Sequence, residues 1–193
     1  MRNDLRALLA SAVLVLSAGA AVADPVLPGP DALGLYFDAE ASSIDLSLLA
    51  PGTYPVHLIL TRPSPGFIDG WQASFTISGN AQVELVELPV GGLPVAGGPG
   101  DFAASFSTPL PGTLLTKLAV FTVRSPALEN AQFFLGAVAV PAVTGNLPCV
   151  QVTGGTWQQV GIASGDPGLP VATVTAQTAT RGSSWGQVKG LFR

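Results

Sequence analysis

The segment from Gly70 to Ser78 places Trp71, Ala73, Phe75 and Ile77 at alternate positions, with Gln72, Ser74, Thr76 and Ser78 between them. A period of two sends one set to each face of an extended strand, so the first set meets a core and the second meets water. Between Gly34 and Ala163 the chain repeats this texture in about nine short apolar or alternating runs, each bounded by Gly, Pro, Asn or Asp. With Gly 23, Pro 17 and only 10% charged residues, long helices are disfavoured and short strands joined by tight turns are favoured. The expected fold is all-β: an antiparallel two-sheet β-sandwich of about nine strands, or a jelly roll.

Particular strands can be placed. Ser78-Gly79-Asn80 turns the chain into a strand from Gln82 to Leu88. Upstream, Gly34 to Asp38 and Tyr54 to Thr61 are strands, the second with Tyr54, Val56, Leu58 and Leu60 inward and His57 opposite them, facing water. Pro55 points to an edge position, because proline has no N–H to give a ladder. Downstream come Asp101 to Ser107, Leu114 to Val123 and Gln132 to Val140, the last two apolar on both faces, with Val120 and Phe121 deep. A hairpin of Cys149 to Val152 and Trp157 to Ala163 turns through Gly154-Gly155. Gly91 to Gly100 reads as an exposed loop.

The two ends have a different character. Arg2 and Arg6 precede an apolar run from Leu8 to Leu16, and Ala21-Val22-Ala23 supplies the small residues of a signal-peptidase site. Residues 1–23 are therefore expected to be a signal peptide, with the mature chain starting at Asp24. A membrane anchor is the alternative, but the run stops within about 17 positions where a spanning helix needs ~20. The mature chain is thus expected to have no membrane span and to work outside the cytoplasm: extracellular, at the cell surface or in the periplasm. Residues 24–172 form the expected sandwich domain, and residues 173–193 a linker and short tail. In that tail Ser184 and Gln187 have capping-box spacing, and Trp185, Val188 and Phe192 would share one side of a short helix. Gly186 and Gly190 each cost that helix about 1 kcal/mol relative to Ala.

Charge and cysteine content exclude several functions. Removal of the leader takes Asp4 from the twelve acids and Arg2 and Arg6 from the eight bases, leaving eleven against six and a formal charge of −5. Nucleic acid is excluded as a partner, since phosphate binding needs clustered Lys and Arg. Cys149 is the single cysteine, so no intramolecular disulfide forms and the fold rests on its packed core. A small apolar residue buried beside Val150 and Val152 is the expected role of that thiol.

The chain lacks an H-E-x-x-H and a Walker loop, and its one histidine, His57, cannot build a multi-histidine metal site. The acids are scattered, and only a meeting of Asp38 or Glu40 with a distant carboxylate would create a glycosidase pair. The expectation is a non-enzyme with no catalytic residue and no cofactor. Asp38, Glu40 and Asp45 are candidate oxygen ligands for Ca2+, though their spacing matches no EF-hand loop. Trp157, flanked by Thr156 and Gln158, and Trp185 in the tail are the candidate ligand-binding residues, while Trp71 belongs to the core.

Gly34-Leu35-Tyr36-Phe37-Asp38, Val56-His57-Leu58-Ile59-Leu60-Thr61, Gly70-Trp71-Gln72-Ala73-Ser74-Phe75 and the run Leu114 to Val123 occur in that order. Together they resemble uncharacterised exported bacterial proteins with a cohesin-like or carbohydrate-binding-module-like β-sandwich, over roughly Leu33 to Leu169. Trp185-Gly186-Gln187-Val188-Lys189 resembles short tails on such proteins. The resemblance implies binding rather than turnover: recognition of another protein at the cell surface, or alternatively of a polysaccharide through exposed aromatics. It transfers no individual binding residue.

Overall fold

The computed structural model describes residues 28–95 and 97–177. The expected signal peptide and Trp185 lie outside those residues. Thirteen strands among the described residues form two sheets. The first holds β1 (Ala32–Tyr36), β3 (Gly52–Thr61), β5 (Gln82–Glu87), β8 (Leu115–Ser125) and β12 (Gly161–Ile162), in the order β12-β1-β3-β8-β5. The second holds β2 (Asp45–Leu48), β4 (Phe67–Ile77), β6 (Gly92–Val95), β7 (Asp101–Pro111), β9 (Ala131–Gly136), β10 (Cys149–Val152), β11 (Thr156–Gln159) and β13 (Ala172–Ala176). Most pairings are antiparallel, as expected, but β1 with β12 and β13 with β2 run parallel.

Between the sheets lies one core. On β4 the residues Trp71, Ala73 and Phe75 are buried while Thr76 is exposed, which is the alternation of Gly70 to Ser78 translated into faces. They meet Val56, Leu58 and Leu60 of β3 and Phe121 and Val123 of β8. Aromatic rings fill the middle: Phe75 lies 4.7 Å from Phe121 and 5.8 Å from Phe133, and Phe102 lies 5.0 Å from Phe121. These are separations at which tilted and edge-on rings attract. β8 buries Leu118 and Ala119 in succession because a bulge makes Leu118 the extra residue opposite Leu58 and Ile59. Phe121 is deep as expected, whereas Val120 is only half-buried.

A second, smaller cluster sits on the far face of the first sheet. Tyr36, Ala41 and Ile59 are fully buried there, with Ile44 and Leu115 against them. The loop after β1 makes the lid: Asp38 Oδ1 accepts from the backbone N–H of Glu40 (3.0 Å) and Ser42 (2.9 Å), and Oδ2 accepts from the Ser42 hydroxyl (2.9 Å).

The structure departs from the sequence reading in several strands. Gly92–Val95, inside the expected Gly91 to Gly100 loop, pairs with β7 from Phe106 to Ala103 and is a strand. Thr173–Ala176, placed in the linker by sequence, pairs with both β2 and β9. Trp157 to Ala163 is two strands, not one, since the chain leaves the second sheet after Gln159 and joins the first at Gly161. Finally, β3 is an interior strand of its sheet, yet β1 stops at Tyr36 opposite His57. At Pro55 one side of β3 therefore has no strand neighbour, the setting in which proline is tolerated.

Candidate functional site

Five strands of the second sheet present one continuous outer face. Their registers align Leu93 with Ser105, Ser105 with Gly70, Gly70 with Gln151 and Gln151 with Trp157. A neighbouring row runs Val95, Ala103, Gln72, Cys149 and Gln159. Because directly paired residues point to the same side, the two rows share the side opposite Trp71, Ala104 and Val150, all of them buried in the core. Neither row contains a charged residue.

The middle of this face is flat. Gly70 has no side chain, and a Cβ there would stand 2.7 Å from the Ala104 carbonyl oxygen, so the backbones of β4 and β7 approach as only glycine permits. The ends carry apolar bulk: Leu93 is 58% and Val95 50% exposed on β6, and Trp157 is half-buried on β11. A three-residue turn, Thr153-Gly154-Gly155, leads into β11, with the Gly155 N–H donating to the Val152 carbonyl (3.0 Å) and both glycines at positive φ.

The segment 137–148 lies across part of the second row. Three side chains fasten it: Asp101 Oδ2 accepts from the Ala139 N–H (2.9 Å), Gln72 Oε1 from the Ala142 N–H (3.0 Å), and Gln159 Nε2 donates to the Thr144 carbonyl (3.4 Å). Val140 is left 86% exposed. Between this segment and the strands runs a groove of about 420 Å³, walled by Gln72, Val95, Phe102, Ala103 and Val138–Val140, with Asp101 its sole acid.

Cys149 is buried, as expected, but it belongs to the outer row beneath this segment and not to the inter-sheet cluster. Burial pushes its thiol pKa up, with a backbone contact to Val143 working the other way. His57 is on the other sheet. It is half-buried with Nδ1 enclosed and without a hydrogen-bond partner, so it does not simply meet water. Burial first and the Lys117 charge second hold its pKa below the ordinary value, against an opposing pull from Asp38 and Glu40.

The three candidate calcium ligands do not converge. Asp38 is spent on its own loop, Asp45 accepts from the Thr173 hydroxyl, and Glu40 is exposed. Among the described residues no three His, Cys, Asp or Glu side chains come together in a way that could hold a metal ion.

No protein-family model matches the sequence, nor does any curated protein. Solved structures do match in fold. The sixth cohesin of scaffoldin B from Acetivibrio cellulolyticus, solved in complex with a mutant dockerin, is 11% identical with a TM-score of 0.50, covering 76% of this chain and 98% of that one. This chain has a cohesin-like fold. The third ScaB cohesin of R. flavefaciens, in complex with a group 1 dockerin, is 12% identical with a TM-score of 0.49, over 79% and 99% of the two chains. The seventh ScaB type I cohesin of Pseudobacteroides cellulosolvens is 8% identical with a TM-score of 0.47, over 72% and 92%. The cohesin-like sandwich accounts for the described residues, and none of its helices is long and apolar enough to cross a membrane, because among those residues it has none.

The sequence reading named Trp157 as a candidate ligand-binding residue and did not assemble the face around it. Leu93 and Val95 were assigned to a loop, and Gln72, Ser105 and Gln151 come together only through strand register, which no local signal encodes.

Proposed function

We propose that this chain is an exported, non-catalytic recognition module that binds another protein on the outer face of its second sheet. The observation that carries the reading is a five-strand face whose two aligned rows hold no charged residue, with Leu93 and Val95 exposed at one end, the half-buried Trp157 at the other and Val140 beside it. Exposed apolar clusters of this kind mark partner surfaces, and aromatic anchors supply most of the energy of such contacts. The cohesin complexes with dockerins among its structural neighbours support a protein partner of that class. The leader-like start of the sequence supports work outside the cytoplasm, at the cell surface or beyond. The reading calls for no cofactor and no nucleic acid.

The test is isothermal titration of the whole protein against a panel of dockerin modules. At least one is expected to bind saturably, and Leu93→Asp and Trp157→Ala are each expected to weaken it by about 2 kcal/mol or more, the scale of a hot-spot residue. A panel that binds nothing, or binding indifferent to both substitutions, overturns it.

A second reading, polysaccharide binding, rests on the half-buried Trp157 at the edge of the same face. Affinity electrophoresis against a glycan panel separates the two: retardation abolished by Trp157→Ala but untouched by Leu93→Asp selects the sugar.

A further inference from the structure

Charge is spread unevenly over the molecule. Among the described residues ten acids stand against three bases, and the bases Arg62, Lys117 and Arg124 all lie on or directly after strands of the first sheet. On the strands of the second sheet the charged residues are Asp45, Asp69 and Asp101, acids without exception. Residues 178–193 have the opposite character: Arg181, Lys189 and Arg193 with no acid, and Trp185, Val188, Leu191 and Phe192 among them. A basic, apolar segment of this kind is drawn to the second sheet, whereas Lys117 and Arg124 repel it from the first.

The second sheet offers one apolar receptacle, the groove of about 420 Å³ beside the 137–148 segment. Val95, Phe102, Ala103, Val138 and Val140 wall it, and Asp101 is its sole charge. Val95 at 50% and Val140 at 86% exposed leave its rim apolar and uncovered. Its volume is within the range of ligand pockets, about 300–1,000 Å³.

Strand register fixes how far this groove is from the point where residues 178–193 leave the sandwich. Ala172 is level with Ile77 through Phe133, and β13 runs in the same sense as β4, so Gln177 lies beyond the end of β4. Asp101 pairs with Ser74, back along that strand. At ~3.3 Å per residue and ~4.8 Å per strand, Gln177 is about 30 Å from the groove. A chain covers at most ~3.6 Å per residue, so Trp185 has a reach of about 29 Å and cannot reverse direction and arrive. Phe192 has a reach of about 50 Å, enough for the turn back.

We infer that residues 188–193 occupy this groove of their own chain, with Leu191 and Phe192 against Val95, Val138 and Val140 and the cations of Lys189 and Arg193 on the side of Asp101. A tether of this length holds the segment at an effective concentration on the order of mM, so a weak contact suffices to fill the groove. The occupied groove covers the Val95 end of the outer face. On the reading of that face as a partner surface, on which this consequence rests, a dockerin has to displace the segment.

The test compares amide 15N–1H shifts of the whole protein with those of Leu191→Ser/Phe192→Ser, a change outside the sandwich core. Differences are expected at Val95, Ala103, Val138, Ala139 and Val140 and not on the first sheet, and they are expected to persist on dilution. Lys189→Glu/Arg193→Glu is expected to produce the same differences. Cysteine trapping in a Cys149→Ala background gives a second readout. Phe192→Cys is expected to form its disulfide with Val140→Cys in preference to Leu49→Cys, which is 71% exposed and adjoins the Leu48 carbonyl that accepts from the Gln177 N–H. A segment without a groove to enter would favour the nearer Leu49→Cys. The inference is overturned by unchanged groove amides, by differences that disappear on dilution and so report a second copy, or by preferential capture at Leu49→Cys. Neither readout uses a dockerin, so the outer-face reading and this one fail separately.

Discussion

Trp71 is the residue on which most of the molecule converges. It packs in the inter-sheet core, fixes the inward side of β4 and thereby decides which residues of that strand reach the outer face. Replacing it with alanine removes a large buried side chain and leaves a void, so Trp71→Ala is expected to cost about 3–5 kcal/mol in urea denaturation. Two titrating groups, Tyr36 and His57, make stability depend on pH in opposite directions. Burial, helped by the Asp38 charge, raises Tyr36 from 10.0 to about 12. The unfolded chain then loses that proton first, so stability is intact below pH 10.0 and is lost as pH rises towards about 12. His57 is the mirror case. Its folded pKa is depressed below 6.5, so the unfolded chain takes the proton first. Stability is complete above that value and declines as pH falls through it towards the folded pKa. Denaturant midpoints across pH should show both slopes, and His57→Gln should remove the acid one alone.

Among the elements, legibility in the sequence followed length and autonomy. β4 declared itself because Trp71 to Ile77 alternate without interruption, and Trp71, Ala73 and Phe75 are buried as the alternation predicts. β2, β6 and β13 did not. β2 has four residues with two apolar ones, β6 reads Gly-Leu-Pro-Val, and β13 is Thr and Ala with one valine. Each is a strand because a neighbour offers a ladder, a tertiary cause that local text does not carry. The outer face was illegible for the same reason: its rows are assembled from residues between 70 and 159 by register. β13 allows a direct test. The Thr173 N–H donates to the Ile44 carbonyl (2.8 Å), and its hydroxyl donates to Asp45. Thr173→Pro removes that N–H and is expected to destabilise the domain by about 1–3 kcal/mol, measured as a shift in the urea midpoint. An unchanged midpoint would return Thr173 to the linker.

For the whole molecule, cohesion comes from one shared core with no covalent staple. The single Cys149 lies under the 137–148 segment with its pKa raised by burial. Thermal unfolding is therefore expected to be the same with and without a reducing agent. A thiol reagent at neutral pH should label the native protein far more slowly than the urea-unfolded chain, since labelling needs an accessible thiolate. Rapid labelling of native protein would show that the segment opens freely, and with it the Gln72, Cys149 and Gln159 row would become available to a partner.

The parallel ladder of β13 with β2 sets the order in which the molecule can be finished. β2 finds its sheet only through β13, so a strand made early stands idle until one made more than a hundred residues later arrives. Closing so large a span is slow, as sheets knit from distant segments generally are. A polypeptide threaded outward from its first residue would thus keep one seam open through almost its entire passage, and would zip shut only when the last rung came through.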